Sequence, residues 1–320
     1  MITLFFVSSR FGGNTYGGGL PHGEQLVEEQ VYATNAMAAV PPSNRMAYLH
    51  SFGLFHDIPN EEWEQLRAAT RGGSWYAIPD NPLADVYDAP LWNKKNMNPN
   101  FVCPRMGSVG QGGQRTKLMC HPERLAHRIT NDDPNGDCLI YSVGSAGDFS
   151  FEDDISRMHN NKCEIHVFDP ADWRRKGDET MKNIHYHAWG MSSTYDESPS
   201  VVWPRGQRGG FKTFPDTMAL LGHGNNRTID LLKIDCEGCE FSTLRDWITL
   251  DIRQILIEIH GVPTPKGTPN QRWYKKPLDI HSEYFKAFSD NGYALYSKDA
   301  VNDLATELSF IKLHKRFWID

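Results

Sequence analysis

The chain has 320 residues, 39 % hydrophobic, 23 % charged and 12 % aromatic, which is enough apolar content to bury a core and too much for a disordered chain. Lys and Arg number 33 against 40 Asp and Glu, a net charge of −7, so no nucleic-acid backbone is expected as the main partner. Mean hydropathy is −0.53, no stretch reaches the ~20 apolar residues of a membrane span, and residues 1–7 lack the basic flank of a signal peptide.

Residues 1–97 are rich in Gly, Pro and Asn and read as an irregular, partly helical extension packed on a larger domain, residues 98–320. A helix is expected over 24–39. A second is expected from Asn60 to Arg71, with Asn60 as its cap, Glu61 and Glu62 at its positive end, and Trp63 and Leu66 on one face. Gly72-Gly73 stops it.

Beyond Asp137 the pattern becomes regular. Strands are expected at 138–143, 163–168, 184–188, 228–234 and 254–259, with two late ones near 293–297 and 307–313. Helices are expected from Phe151 to His159, where Ser150 and Asp153 fit a capping box, from Cys239 to Leu250, and from Ile280 to Asn291. Alternating strands and helices predict an α/β fold, a mostly parallel sheet covered on both faces. In such sheets ligands bind beyond the carboxyl ends of the strands. Gly144, Asp169, Gly190, Asp235 and His260 stand at those ends.

The turn Ser142–Asp148 is glycine-rich, which lets backbone approach a ligand, but it is not a full G-x-G-x-x-G. Asp169 ends the second strand, where a carboxylate can accept from both hydroxyls of a ribose; the plain alternative is a cap before Pro170. No P-loop lysine follows the glycines, which disfavours a nucleoside triphosphate. The segment Asp230–Phe241 (DLLKIDCEGCEF) delivers Asp235 and Glu237 to a strand end. Its Cys236-x-x-Cys239 admits a thiol redox pair, which the flanking acids oppose, and a zinc site would need a second ligand pair. Glu258 and His260 alternate and so share a face. His185, His187 and Trp189 read as packing or surface residues, and the long stretches 192–211 and 261–277 as possible covers of the site. Six cysteines are too few for a disulfide scaffold, so cytoplasm and secretory lumen both stay open for a soluble protein.

These residues carry a resemblance. Asp230–Glu240 resembles the D-x-L-K-I-D-x-E-G-x-E signature of FkbM-like, S-adenosylmethionine-dependent methyltransferases. Tyr141–Gly144, His166–Pro170 and Ile257–His260 are similar to eukaryotic methyltransferase-like proteins, as is the lead-in Asn100–Cys103, Gly110–Gly113 and Cys120–Pro122. The lead-in departs in having Gln111 and Gln114 where an acid and a lysine are expected.

The resemblance implies the class I (Rossmann-like) methyltransferase sheet of seven strands, its last strand antiparallel, over about residues 98–315. It implies S-adenosylmethionine as cofactor, with Ser142, Gly144, Ser145 and Gly147 facing its methionine part, Asp169 its ribose, Trp189 and Gly190 its adenine, and Asp235 beside the methyl. The implied reaction is O-methylation of a carbohydrate or other small polar hydroxyl compound. Methyl transfer is an in-line displacement, and a hydroxyl acceptor needs a base, for which Asp235 and His260 are the candidates with Glu237 orienting them. Asp235, Glu237 and His260 alternatively form a divalent-metal site. The competing readings are a nicotinamide-dependent oxidoreductase on a similar sheet and a cofactor-binding protein without turnover.

Overall fold

The computed structural model describes residues 40–71, 98–111, 116–125, 138–171, 173, 182–193, 210–224, 227–260, 263–264, 276–302 and 305–319. The helix expected over 24–39 and most of the stretches 192–211 and 261–277 lie outside the described residues. In chain order the elements are α1 (Arg45–His50), α2 (Asn60–Arg71), β1 (Met106–Val109), β2 (Lys117–Cys120), β3 (Leu139–Val143), α3 (Ser150–Met158), β4 (Glu164–Phe168), β5 (Ile184–His187), β6 (Gly190–Met191) and β7 (Phe211–Lys212). They continue with α4 (Phe214–Leu220), β8 (Ile229–Ile234), α5 (Cys239–Ser242), α6 (Leu244–Trp247), β9 (Ile252–His260), β10 (Pro263–Thr264), β11 (Lys276–Pro277), α7 (Leu278–Asp290), β12 (Tyr293–Asn302), β13 (Ala305–Lys312) and α8 (Lys315–Trp318).

Seven strands form one sheet in the order β12-β13-β9-β8-β3-β4-β5. β8, β3, β4, β5 and β9 run parallel, and β13 is antiparallel to both of its neighbours. This is the mostly parallel α/β sheet with a reversed last strand that the sequence predicts. All six residues of β8 are buried, as a central strand covered on both faces requires. Alternation sorts the side chains. Leu139, Tyr141 and Val143 face a layer with Phe214, Trp247 and Phe288, and Ile140 faces the other with Phe151, Ile155, Trp63 and Phe317. α4, α6 and α7 thus cover one face, and α2, α3 and α8 the other.

Three local expectations need correction. α2 starts at Asn60, but Asn60 does not cap it. Its Oδ1 accepts from the Met46 amide and its Nδ2 donates to Pro42 O, tying α2 to α1. The Ser150–Asp153 capping box does not form. Asp148 Oδ1 accepts from the Ser150 amide instead, one turn position earlier. The helix expected from Cys239 to Leu250 is split into α5 and α6. Thr243 sits at the break, its hydroxyl donating to Cys239 O and accepting from Trp247 Nε1.

Candidate active site at the carboxyl edge of the sheet

The ends of β3, β4 and β8 are bound to each other through backbone. Gly144 N donates to Phe168 O at 2.8 Å, and Asp235 N to Val143 O at 2.9 Å. Gly144 has φ +81°, and a Cβ there would lie 1.7 Å from the Asp235 carbonyl oxygen, so only glycine fits between the strands. Lys233 Nζ, buried, donates to Gly144 O at 2.8 Å and holds the turn from below.

The glycine turn and Asp169 meet, as the sequence predicts. Asp169 Oδ2 accepts from the amides of Ser145 and Ala146 at 3.1 and 2.9 Å. Its Oδ1 accepts from Ala171 N at 2.9 Å and from the Trp173 indole N–H at 3.1 Å. A carboxylate has about four lone-pair positions, and all four here are used within the chain. The Trp173 ring also lies against Gly147, where a Cβ would come within 2.8 Å of it.

The other expected cofactor residues divide. Ser145 is buried and its hydroxyl accepts from the Gly147 amide. Ser142 is fully buried and donates to Glu152 on α3, so it faces a helix, and its expected place at the cofactor needs correction. Gly190 faces protein too, since a Cβ there would lie 2.6 Å from the Phe211 ring. Trp189 follows β5 and leans on His187 at 4.5 Å between ring centroids. Its indole N–H is buried without a hydrogen-bond partner among the described residues.

A second group of charges adjoins the first. Asp235 follows β8, and Glu258 and His260 end β9. Lys117, on β2, places its buried ammonium 3.5 Å from Asp235 Oδ2 and 3.6 Å from Glu258 Oε2, and it also pairs with Glu307 on β13. Glu307 and Glu258 are cross-strand partners in the β13–β9 ladder, two like charges that Lys117 separates. Burial raises the Asp235 carboxyl, but the Lys233 and Lys117 charges outweigh it and hold Asp235 below the ordinary range. Glu258 moves the other way, to about 7, because burial and the neighbouring Asp235 charge both oppose its ionisation.

His260 is anchored by Glu240, which is fully buried on α5. Glu240 Oε1 accepts from the His260 amide at 3.0 Å and from its Nδ1 at 3.1 Å. Burial works against the imidazolium, but the Glu240 hydrogen bond and the charges of Glu240, Glu237 and Glu258 prevail and lift His260 to about 9. These partners favour the protonated ring, which works against the expected base role of His260. Glu237, in a left-handed turn at φ 57°, is half-exposed and 3.5 Å from His260 Nε2. The acids that share a metal-sized space with His260 are Asp235 and Glu258, not Glu237. Asp235, Glu258 and His260 offer donor atoms within 4.8 Å of one another, with the Lys117 ammonium already paired to two of these acids.

Lys117, Glu258, Glu307 and Glu240 were not among the residues singled out for chemistry by sequence. Two of them carry a signal: Glu258 alternates with His260, and Glu240 is the last acid of the Asp230–Glu240 signature. Disulfides pair Cys103 with Cys120, Cys138 with Cys163, and Cys236 with Cys239. The last closes the turn that follows Asp235.

A methyltransferase-domain family model matches residues 45–312. The probable methyltransferase-like protein 24 of Homo sapiens is 30 % identical over 175 residues, 51 % of this chain and 44 % of that protein. Its Rattus norvegicus counterpart is 28 % identical over 209 residues, 59 % of this chain and 53 % of that protein. The chain spans about half the length of these curated relatives. Among solved structures, the methyltransferase FkbM from Methylobacillus flagellatus KT is similar at 14 % identity and a TM-score of 0.34, over 59 % of this chain and 47 % of that one. The fibrillarin pre-rRNA processing protein of Methanococcus jannaschii is similar at 11 % identity and a TM-score of 0.36, over 67 % and 85 %. The family match spans most of the chain and the glycine turn, Asp169 and Asp235 all fall within it; the chain belongs to the methyltransferase-domain family.

Proposed function

We propose that this chain is an S-adenosylmethionine-dependent O-methyltransferase acting on a carbohydrate or another small polar hydroxyl compound. The observation that carries the reading is the Asp235–Glu258 pair. It is a pair of carboxyls at the ends of adjacent parallel strands, Glu258 buried and Asp235 partly exposed, one held ionised and the other titrating near 7. Such a split is what general-base work at neutral pH needs. Family membership weighs against the nicotinamide-dependent alternative.

The donor supplies an electrophilic methyl on a sulfonium; the chain supplies alignment and a base. Gly144, Ser145 and Gly147 form the turn that would border the methionine part, and Asp169 the ribose. The Asp169 carboxylate is available to a sugar diol if the Trp173 indole N–H leaves Oδ1, since its other three donors are backbone amides. The Trp189 N–H, without a partner among the described residues, offers a donor where the adenine is expected. Glu258, when ionised, takes the proton of the acceptor hydroxyl. Asp235 keeps its charge and, by repulsion, keeps Glu258 basic. His260 stays protonated as a fixed positive charge behind the pair, with Glu237 and Glu240 holding it. Lys117 supplies the cation that a metal would bring to these acids.

Residues 98–320 carry every residue of this site, and we assign them as the catalytic part of the methyltransferase domain, whose family match reaches back through α2 and α1 to residue 45. All six cysteines are paired, which supports folding in an oxidising compartment such as the secretory lumen. No helix among the described residues is long and apolar enough to cross a membrane.

The test is transfer of labelled methyl from S-adenosylmethionine to a panel of sugars, glycosides and small polyols, with wild type and Glu258→Gln side by side. Labelled ether product from wild type, reduced about 100-fold or more in Glu258→Gln, supports the reading. Product formed equally by both removes Glu258 as base, and label found on nitrogen acceptors instead removes the O-methyltransferase assignment.

A further inference from the structure

A second cluster of ligand-type side chains lies at the opposite edge of the sheet. Glu164 opens β4 and Asp169 follows its last residue, Phe168, so the cluster is separated from the active site by the length of the strand. His166 lies two residues on, on the same face. His223 comes from the loop after α4. We propose that Glu164, His166 and His223 form a binding site for a divalent transition-metal ion of the zinc class, which ties the loop after α4 to β4.

Both histidines point the same ring nitrogen at the same oxygen. His166 Nε2 lies 2.9 Å and His223 Nε2 3.1 Å from Glu164 Oε1. The three donor atoms lie within 4.8 Å of one another, and both rings are buried. Zinc binds imidazole nitrogen and carboxylate oxygen at about 2.0–2.2 Å, so donors at right angles to tetrahedral angles stand roughly 2.9–3.4 Å apart. The observed N–O separations fall in that span with no change of fold.

The far nitrogen of each ring is also provided for. His223 Nδ1 is 2.6 Å from the Tyr141 hydroxyl, and His166 Nδ1 is 2.8 Å from His187 Nε2. A hydroxyl and a neutral imidazole can each donate or accept. Without the ion, both Nε2–H groups donate to Glu164, and Tyr141 and His187 donate inward. With the ion, both Nε2 lone pairs face the metal, and both Nδ1–H groups donate outward to the same partners. This is the outer support that metal-bound histidines ordinarily have. Tyr141, His187 and the stacked His185 need not move.

Arg227 meets the other carboxylate oxygen, its Nη2 2.9 Å from Glu164 Oε2. It leaves Oε1 as the single inward oxygen and makes Glu164 a one-oxygen ligand. Its positive charge opposes a second cation, but it is partly exposed and so screened by solvent. Glu164 is itself 34 % exposed, which gives the ion a path from solvent.

The full chain is stripped with a chelator, and Zn²⁺ is titrated in by calorimetry, with Co²⁺ followed in parallel by its visible absorption. The expected result is one zinc per chain, lost in Glu164→Gln and in His223→Ala, and retained in Glu258→Gln. Tyr141→Phe, which removes only the outer hydrogen bond, is expected to weaken binding about 10–100-fold. If His223→Ala does not fold, Glu164→Gln, a change at a partly exposed side chain, reads the same site. No binding by wild type overturns the proposal. So does binding that survives Glu164→Gln, or binding that Glu258→Gln abolishes, since the ion would then sit at the other cluster.

Discussion

The buried Lys117 ammonium lies 3.5 Å from the partly exposed Asp235 Oδ2 at the carboxyl edge of the sheet. It is the counter-charge that lets Asp235, Glu258 and Glu307 share one corner. Lys117→Met keeps the length of the side chain and removes the charge. Removing one partner of a buried ion cluster costs about 3–5 kcal/mol, and a loss of that order is expected in urea denaturation at pH 7. Without the cation Glu258 becomes harder to ionise, so the rising limb of the pH–rate profile moves upward. An unchanged denaturation midpoint together with an unchanged limb contradicts the assignment.

His260 makes stability depend on pH in a defined window. Its pKa is raised from 6.5 to about 9. A basic group raised on folding stabilises fully below its unfolded pKa, and the gain is lost as pH rises through the folded one. The contribution is therefore present below pH 6.5 and gone above about 9; a rise of that size corresponds to about 3 kcal/mol. Glu258, raised from 4.5 to about 7, erodes stability in the lower window and barely overlaps this one. Denaturation of wild type and His260→Gln from pH 6 to 10 is expected to show the gap closing between those limits. A gap that is constant across them contradicts the Glu240-anchored imidazolium.

In the proposed cofactor site, Trp173 occupies an oxygen of the Asp169 carboxylate that a ribose would need. Trp173→Phe keeps a ring against Gly147 and removes the N–H on Asp169 Oδ1. One hydrogen bond of about 1 kcal/mol corresponds to roughly a fivefold gain in affinity for S-adenosylhomocysteine, read by calorimetry. Weaker binding in Trp173→Phe shows that the indole serves the ligand directly.

The cysteine pairs predict a thiol count. Alkylation of the unreduced, denatured chain followed by mass measurement is expected to find no free thiol, and reduction to release all six. Loops of 17 and 25 residues closed by Cys103–Cys120 and Cys138–Cys163 imply about 3 kcal/mol each in the chain-entropy account, so reduction lowers the melting temperature. Free thiols in protein secreted from an oxidising compartment contradict the pairing.

Much of the frame is legible because it follows local rules. Apolar runs become strands, and the residue after each parallel strand lands at one edge, which is how Gly144, Asp169 and Asp235 come together. What escapes reading is set by contacts distant in sequence. Lys117 matters only because β2 lies beside β13, where Ser309 donates to Leu118 O. The charge of His260 depends on Glu240 being buried under it, and spacing alone shows neither the burial nor its depth. Ser142 stands in the glycine-rich segment but on the residue whose side chain alternation turns toward α3. Asn60 has the chemistry of a cap and spends it on α1.

Calorimetric titration of the full chain with S-adenosylhomocysteine tests the central claim most directly. The account predicts saturable binding at one site per chain, weakened at least about tenfold by Asp169→Ala in protein whose circular dichroism matches wild type. Absence of binding to wild type, or heat released on adding NADH but not S-adenosylhomocysteine, contradicts it.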